Sequence, residues 1–274
     1  MPMAGRKMTI KKVLENSREF FSSLLFPQRC PVCDELLEPE EIEKGIHFVC
    51  ESKLYFIYET VCMHCGRPIG DKISNTEEKL HIKTPPQTVA GTREYCHDCI
   101  SKGYSKQSFV TQAKAICLYK GPIKRSMYRL KYSNKREYAT YFAKCAKKRY
   151  SPWIKNIGIE AIVPVPLHKA KKRRRGYNQA ESFARALGKV WNLPVNKDLV
   201  YRVKNTTPQK GLSPKERKVN LEKAFCKGKS TMEYNAVLLV DDIYTTGSTA
   251  EAVAKELIRR GIKRVYFLAI CIGE

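Results

Sequence analysis

The chain has 274 residues, which is enough for one large domain or for a medium domain with a small one. Its apolar content of 43% is that of a globular protein, and its longest early apolar cluster, FFSSLLF at 20–26, is too short to span a membrane. Lysine and arginine number 51 against 27 acidic residues, and the formal net charge of +24 favours polyanions or phosphorylated ligands as partners. A generally basic, solvated surface explains the same charge.

Residues 1–29 are predicted to form an amphipathic N-terminal segment. Their apolar residues between 13 and 25 fall loosely on one face of a helix. The segment lacks the small-residue cleavage pattern of a secretory signal, so we expect a cytoplasmic protein. Its polar face carries both glutamate and arginine. Packing on the next module is therefore favoured over the alternative, peripheral binding at the inner face of the membrane.

Two Cys-x-x-Cys pairs dominate residues 30–108, which are predicted to form a cysteine-rich zinc-ribbon module. Cys62 pairs with Cys65, and Cys96 pairs with Cys99. Four thiolates on two such turns suit tetrahedral Zn²⁺, whereas four free thiols would leave a small polar segment without a core. Without an export signal, this spacing favours zinc in a reducing compartment over disulfides. His64 lies inside the first turn and is expected to point outward.

The first half of this module has a less complete ligand set. Cys30 and Cys33 form one Cys-x-x-Cys pair, but Cys50 is single, with Lys53 where its partner cysteine would lie. His47, three residues before Cys50, is a candidate fourth ligand of another zinc ion. A lone histidine is as often a surface or structural residue, so the sequence leaves this ligation open.

Residues 109–274 are predicted to form an α/β domain with a mostly parallel sheet flanked by helices, because strand and helix patterns alternate along them. Short apolar runs predict strands at 113–119, 161–165, 236–240 and 265–271. Apolar residues at helical spacing predict helices near 123–130, 137–150, 180–191 and 250–258. Gly261 is predicted to close the last helix. Residues 203–224 are polar, basic and proline-bearing, and are predicted to be a mobile loop or flap.

The stretch 236–249, AVLLVDDIYTTGST, carries the strongest functional signal. An apolar run ends in adjacent carboxylates, Asp241 and Asp242, and a loop at 245–249 then precedes a helix. Loop hydroxyls and the free N–H groups of a helix start form an anion site. Carboxylates beside that site suit a ligand that carries both hydroxyls and phosphate. A simple helix cap explains one serine or threonine of the loop but not the whole stretch.

The same stretch resembles the phosphoribosyl-pyrophosphate (PRPP) motif of type I phosphoribosyltransferases, and the wider pattern resembles the ComF/ComFC competence family. The matching segments occur in the family's order: LFPQRCPVC, YKGPIKRSMYRLKY, VPVPL, RRRGYNQA, TPQKGLSPKERKVN and VLLVDDIYTTGST. The chain departs from the family pattern where Cys50 replaces a Cys-x-x-Cys pair. The resemblance implies a type I phosphoribosyltransferase fold with a small N-terminal cysteine-rich zinc-ribbon module.

The resemblance also implies roles for the matching residues. Asp241 and Asp242 are expected to accept hydrogen bonds from the ribose 2′- and 3′-hydroxyls, as the catalytic pair. The 5′-phosphate is expected to be held by Thr245, Thr246, Gly247, Ser248 and Thr249. Gly247 is expected where the backbone approaches the phosphate too closely for a Cβ. The pyrophosphate is expected to be held by the turn formed by Val165, Pro166 and Leu167.

Mg²⁺ is expected to be held mainly by pyrophosphate and ribose oxygens, since hard oxygen ligands suit this ion. Negative charge grows on pyrophosphate as it leaves, and nearby cations stabilise that charge. Candidates are Arg175, with Arg173 and Arg174, in a loop after Pro166, and Arg217, with Lys215, in the flap. A closing flap would also exclude water.

The basic run 169–175 has three interpretations: a solvated charged loop, a pyrophosphate contact or a contact with single-stranded DNA. The last two overlap, because a groove that binds PRPP is already electropositive. Tyr132 and Tyr177 lie near basic residues and are candidates for stacking on bases.

Two functional hypotheses follow. The first is a phosphoribosyltransferase of natural competence that transfers ribose-5-phosphate from PRPP, with Mg²⁺, to an unidentified acceptor. The alternative is a non-catalytic PRPP-fold accessory of DNA uptake that binds single-stranded DNA and other competence proteins. No general base is assigned, because the acceptor is unknown.

Overall fold

The computed structural model describes residues 27–58, 60–69, 95–101, 108–204, 221 and 224–273. The predicted N-terminal helix and most of the predicted flap, including Arg217, lie outside these residues. Contacts divide the chain into two compact units, Met1–Lys53 and Leu54–Glu274. Within the described residues, no helix is both long and apolar enough to cross a membrane.

The first unit is a small cysteine-centred fold. It contains two short helices, α1 (Pro39–Ile42) and α2 (Phe48–Ser52). An antiparallel bridge joins Arg29 to Leu36 across the first Cys-x-x-Cys turn. The Glu41 carboxylate accepts a hydrogen bond from the Phe48 N–H at 3.1 Å, which ties the two helices together.

The second unit is built on a four-stranded parallel sheet. Its described strands are β1 (Gln112–Leu118), β2 (Ala161–Pro164), β3 (Val200–Arg202), β4 (Phe225–Lys227), β5 (Ala236–Tyr244) and β6 (Arg264–Ile272). The sheet has the order β1-β6-β5-β2, while β3 and β4 pair separately as an antiparallel ribbon. Burial on both faces explains why the sheet strands read as continuous apolar runs. The predicted α/β class with a mostly parallel sheet is confirmed.

The described helices of this unit are α3 (His97–Ser101), α4 (Ile123–Tyr132), α5 (Tyr138–Ile157), α6 (Lys169–Arg175), α7 (Gln179–Trp191) and α8 (Ser248–Arg259). Helix α3 carries Cys99 of the second cysteine cluster. Helix α5 runs beyond the predicted end at residue 150 and passes through Pro152. Gly261 follows α8 with φ 110°, as predicted for its C-terminal glycine.

The basic run 169–175 was expected to be a loop, and that prediction is wrong. The His168 side chain caps helix α6 by accepting a hydrogen bond from the Ala170 N–H at 3.2 Å. Gly176, with φ 80°, ends it. The helix has no buried residue, so it carries no apolar periodicity that a sequence pattern could detect.

The part of the cysteine-rich module that contains Cys62 and Cys65 is joined to the sheet. Residues 55–57 pair antiparallel with edge strand β1, through Ile57 N–H to Ile116 O at 3.1 Å and Leu118 N–H to Tyr55 O at 2.8 Å. The Ala113 N–H also donates to the His64 carbonyl at 2.6 Å. These hydrogen bonds cross the predicted domain boundary at residue 108.

Candidate functional site

The candidate site lies where strands β5 and β2 end. Because the two strands run parallel, with Pro164 opposite Val240, their carboxyl ends meet at one edge of the sheet. The Val165 N–H donates to the Val240 carbonyl at 2.9 Å, so the turn 165–167 begins beside Asp241. A small pocket at this edge is lined by Asp241, Ile243, Phe267 and residues 244–250.

The two adjacent carboxylates have different surroundings. Successive side chains of a strand point to opposite faces, and β5 continues through both residues to Tyr244. Asp242 is buried and its Oδ2 lies 2.6 Å from Lys131 Nζ, on helix α4. Although burial lowers it, the pKa of Lys131 is raised overall by the charge of Asp242. Burial, followed by the charge of Asp242, raises the pKa of Asp241 well above its usual range.

Amide substitution at these two positions is expected to change stability in opposite directions. Asp241→Asn removes a carboxylate whose ionisation folding disfavours, so we expect the ligand-free protein to gain about 1 kcal/mol at neutral pH. Asp242→Asn leaves Lys131 buried without its counter-ion, and we expect a loss of about 3 kcal/mol. Thermal or urea unfolding of both variants measures these changes.

The pH dependence of stability tests whether the pKa of Asp241 is raised in the folded protein. A carboxyl group with a raised pKa in the folded state binds protons more tightly there, so its ionisation lowers stability as pH rises above the ordinary aspartate pKa of about 3.9. The advantage of Asp241→Asn should therefore fade as pH falls towards that value. An advantage that persists in acid would contradict the raised pKa of Asp241.

The loop 245–249 has the backbone of an anion cradle. Gly247 has φ 77° and immediately precedes helix α8, so the free N–H groups of a helix start lie in the pocket. Thr246 Oγ1 and Ser248 Oγ are 2.9 Å apart and add hydroxyl donors. A Cβ at residue 247 would lie 2.4 Å from the Tyr244 hydroxyl. The side chain of Tyr244 therefore requires a glycine at position 247, a steric requirement that cannot be inferred from the sequence.

The turn 165–167 is fixed by a buried amide. Asn178 Nδ2 donates to the Val165 carbonyl at 2.9 Å, while Asn178 Oδ1 accepts from the Ala180 N–H at the start of α7. Arg175 donates to Gln179 Oε1 at 3.0 Å and to the Tyr132 hydroxyl at 3.2 Å. The segment RRRGYNQA therefore orders the turn 165–167.

Sequence reasoning missed Arg202 as a cation of the site, whereas Lys171 lies within the basic run 169–175 that it had singled out. The pKa of Lys171 is lowered by burial and then by the charges of Arg202, Arg175 and Arg174. The pKa of Arg202, on β3, is also lowered by burial, while the charge of Asp241 partly offsets this. Arg202 is thus within electrostatic range of both Lys171 on helix α6 and Asp241 on strand β5. A spacing pattern contains no signal for this long-range contact.

The second cysteine cluster fits a zinc ion. The sulfurs of Cys62, Cys65, Cys96 and Cys99 all lie within 4.8 Å of one another. The sulfurs of Cys65 and Cys96 are 3.6 Å apart, close to the separation of about 3.8 Å expected when each lies about 2.3 Å from a tetrahedral ion. Cys62, Cys65 and Cys99 are buried, and buried thiolates require a cation.

The first cluster also offers four ligand atoms. Cys30, Cys33, His47 and Cys50 lie within 4.8 Å of one another. His47 Nδ1 is 3.2 Å from Cys33 Sγ and 3.9 Å from Cys50 Sγ. His47 Nε2 donates to the Leu36 carbonyl at 2.8 Å, which leaves Nδ1 free of its proton and directed at the sulfurs.

Near the Cys62–Cys65 turn, sequence reasoning gave a wrong prediction for one residue and missed another. His64 was predicted to point outward, but it is buried, and that prediction is wrong. Arg67 was not singled out, although its guanidinium contacts both Asp98 and the Thr245 carbonyl. Both contacts depend on segments distant in the sequence, so local pattern contains no signal for them.

Comparison with known proteins agrees with this organisation. The double zinc ribbon domain matches residues 21–100. DNA utilization protein YhgH of Escherichia coli K12 is 27% identical over 232 residues, covering 83% of this chain and 96% of that protein. Competence protein ComFC of Bacillus subtilis is 26% identical over 228 residues, covering 82% of each. Competence protein F of Haemophilus influenzae is 43% identical over 108 residues, about half (47%) of its length.

Phosphoribosyltransferases appear among the similar solved structures. A purine phosphoribosyltransferase from Pyrococcus horikoshii has a TM-score of 0.29 at 16% identity, over 47% of this chain and 72% of that one. A hypoxanthine phosphoribosyltransferase from Staphylococcus aureus has a TM-score of 0.31 at 16% identity, over 49% and 62%.

The protein therefore combines a double zinc ribbon with a parallel α/β sheet whose carboxyl edge carries the loop 245–249 and the start of helix α8. The named relatives and the double zinc ribbon support placing the chain in the ComF/ComFC family.

Proposed function

We propose that the protein binds PRPP with Mg²⁺ and transfers its ribose-5-phosphate to an acceptor. The observation that supports this most is a group of cations in which the charges of Arg202, Arg175 and Arg174 lower the pKa of Lys171, with Arg202 also within electrostatic range of Asp241. Such a group is unfavourable unless a polyanion neutralises it. Pyrophosphate has the required charge, and the loop 245–249 offers a second anion cradle for the 5′-phosphate.

The residues divide the chemistry between them. As pyrophosphate leaves, the C1′–O bond breaks with its electron pair on the leaving oxygen, and a lone pair of the acceptor forms the new bond to C1′. The cations on α6 and β3 stabilise the growing negative charge. Asp241 and Asp242 hold the ribose hydroxyls, and Lys131 forms an ion pair with Asp242.

Bound metals complete the proposal. Mg²⁺ supplies further charge neutralisation at pyrophosphate, and its preference for oxygen suits the ribose and phosphate groups. Each of the two cysteine clusters holds a structural zinc ion, the first through three cysteines and His47.

Replacing Lys171 tests the cation group directly. Lys171→Met is expected to weaken the binding of inorganic pyrophosphate with Mg²⁺ about tenfold, because a hydrogen bond to a charged group is lost. Because the pKa of Lys171 is lowered, part of this side chain is neutral at alkaline pH, below the ordinary lysine pKa of about 10.4. Binding of pyrophosphate should then take up a proton. The affinity for pyrophosphate should therefore fall as pH rises. Calorimetry in buffers of different ionisation enthalpy measures both quantities.

The matched control is Lys169→Met, which removes an exposed lysine from the same helix. It should leave affinity and proton uptake near the native values. Equal losses in both variants would indicate general attraction rather than a site. If neither PRPP nor pyrophosphate binds to the native protein with Mg²⁺, the proposal fails.

A second candidate function is binding of single-stranded DNA without turnover. The rings of Tyr128 and Tyr132 lie 4.9 Å apart, both are more than half exposed, and the Arg175 guanidinium lies 4.9 Å from the Tyr132 ring. Two exposed aromatic rings, tilted by 44° against each other beside a basic helix, suit splayed bases, whereas Tyr177 is buried. The names of the relatives, competence protein and DNA utilization protein, support a role in handling DNA. Salt-dependent DNA binding that is lost in Tyr128→Ala with Tyr132→Ala, without pyrophosphate release under any condition, favours this candidate.

A further inference from the structure

One arginine connects the second cysteine cluster to the loop 245–249. Arg67, two residues after Cys65, donates from Nη1 to Asp98 Oδ2 at 2.7 Å and from Nη2 to the Thr245 carbonyl at 2.7 Å. Asp98 lies between Cys96 and Cys99, and Thr245 is the first residue of the loop. One planar guanidinium therefore holds two segments that are otherwise far apart along the chain.

This contact sets the direction of a backbone donor. A trans peptide is planar, and its C=O and N–H point in opposite directions. Since the Thr245 carbonyl is directed at Arg67, the Thr246 N–H is directed away from it. Among the described residues, no group accepts a hydrogen bond from the backbone N–H of Thr246 or Gly247. Arg67 thus orients a peptide whose N–H remains available to an anion.

A second set of contacts supports the same connection. The His64 carbonyl accepts from the Ala113 N–H, and His64 Nε2 lies 3.4 Å from Ser108 Oγ. Ser108 Oγ donates to a carboxylate oxygen of Glu251, whose other oxygen accepts from the Phe109 N–H at 2.9 Å. Glu251 lies in the first turn of helix α8, just after the loop. The turn that carries Cys62 and Cys65 is therefore connected to both sides of the loop.

We infer that Arg67 is a positioning residue that couples zinc binding at the second cluster to phosphate binding at the loop. The ligand side of this inference rests on the proposed function. Zinc fixes the two Cys-x-x-Cys turns against each other, and these turns hold Arg67 and Asp98. Arg67 in turn fixes the Thr245–Thr246 peptide. Coupling between two binding sites is reciprocal, so each ligand should strengthen the binding of the other by the same factor.

Arg67→Met tests the coupling, since it keeps an unbranched side chain and removes both donors. With zinc content unchanged, PRPP affinity measured by calorimetry with Mg²⁺ should fall about tenfold. In a Cys33→Ser background, which leaves the second cluster intact, PRPP should also tighten zinc in equilibrium competition with a chelator. That tightening should be absent when Arg67→Met is added. Arg29→Met is the matched control, because within the part of the chain that the structure describes the Arg29 guanidinium donates to the Asp34 carbonyl beside the first cluster.

Hydrogen exchange gives a measurement that needs no PRPP. Backbone amides of residues 244–250 should exchange faster in zinc-loaded Arg67→Met than in the native protein, and at native rates in Arg29→Met. Native exchange rates with native PRPP affinity in Arg67→Met would overturn the inference. If the native protein binds no PRPP, the proposed function fails, while the exchange measurement still decides whether Arg67 orders the loop.

Discussion

Cys62→Ser is expected to remove one zinc ion and to destabilise the whole unit Leu54–Glu274. A structural zinc contributes on the order of 10 kcal/mol to the folding of small zinc modules, as much as the total stability of an ordinary domain. Because the second cluster is hydrogen-bonded to β1 and to the loop 245–249, its loss should lower the Tm of the α/β sheet by more than about 10 °C. Elemental analysis and calorimetry on the same samples measure both effects.

Cys33→Ser is the matched control, since it removes a thiol of the first cluster, which belongs to the separate unit Met1–Lys53. It should lower the zinc content by one ion and leave the main thermal transition near its native temperature. The native protein, purified without chelator, should contain two zinc ions per chain. A content near zero would refute both zinc sites, and equal losses of Tm in the two variants would contradict the distinction between them.

Asp241→Asn combined with Asp242→Asn is expected to abolish PRPP-dependent release of pyrophosphate. Each carboxylate is proposed to accept a charged hydrogen bond from a ribose hydroxyl, an interaction of about 1.5–3 kcal/mol. Loss of both should lower the rate by roughly 10²–10⁴-fold. A coupled pyrophosphate assay, run with Mg²⁺, PRPP and a panel of nucleobases, measures the rate.

Stability must be separated from chemistry in that experiment. Adding Lys131→Met to the pair removes the lysine that Asp242→Asn would leave without its partner, and should restore the Tm without restoring release. Asp198→Asn, a carboxylate that accepts from the Tyr201 hydroxyl, should release pyrophosphate at the native rate. Native release by the double variant would contradict the assigned roles of Asp241 and Asp242.

Patterns with a short period in the sequence predicted most of the fold. The sheet strands are rich in apolar residues because both faces of a parallel sheet are covered, and the predicted runs lie within a residue or two of β1, β2 and β6. Strand β5 was predicted to end at residue 240 but extends to Tyr244, because β6 supplies pairing partners as far as Ile272. The polar residues Asp241 and Asp242 interrupt the apolar run, so the sequence pattern does not show that strand β5 continues to Tyr244.

The unpredicted parts of the site depend on contacts between distant segments. The Lys131–Asp242 ion pair joins helix α4 to strand β5, and Arg202 reaches the site from a three-residue strand too short to show a period. Helix α6 has polar residues at every position but one, so only its caps distinguish it from a loop. The ligand residues of the clusters were predicted because zinc requires specific side chains at short spacing. Charge neutralisation has no such spacing rule.

The position of β6 within the sheet has a consequence for the order of folding. Strand β6 is the last of the described strands in the chain, yet it lies between β1 and β5, with Gln112 opposite Tyr266. During synthesis, β1 and the segment 55–57 beside it remain without their central neighbour until β6 has left the ribosome. Pairings over such long separations form slowly. Metal binding by the Cys-x-x-Cys turns requires only residues that are synthesised much earlier. These turns can therefore bind metal while the edge of β1 that pairs with β6 is still exposed.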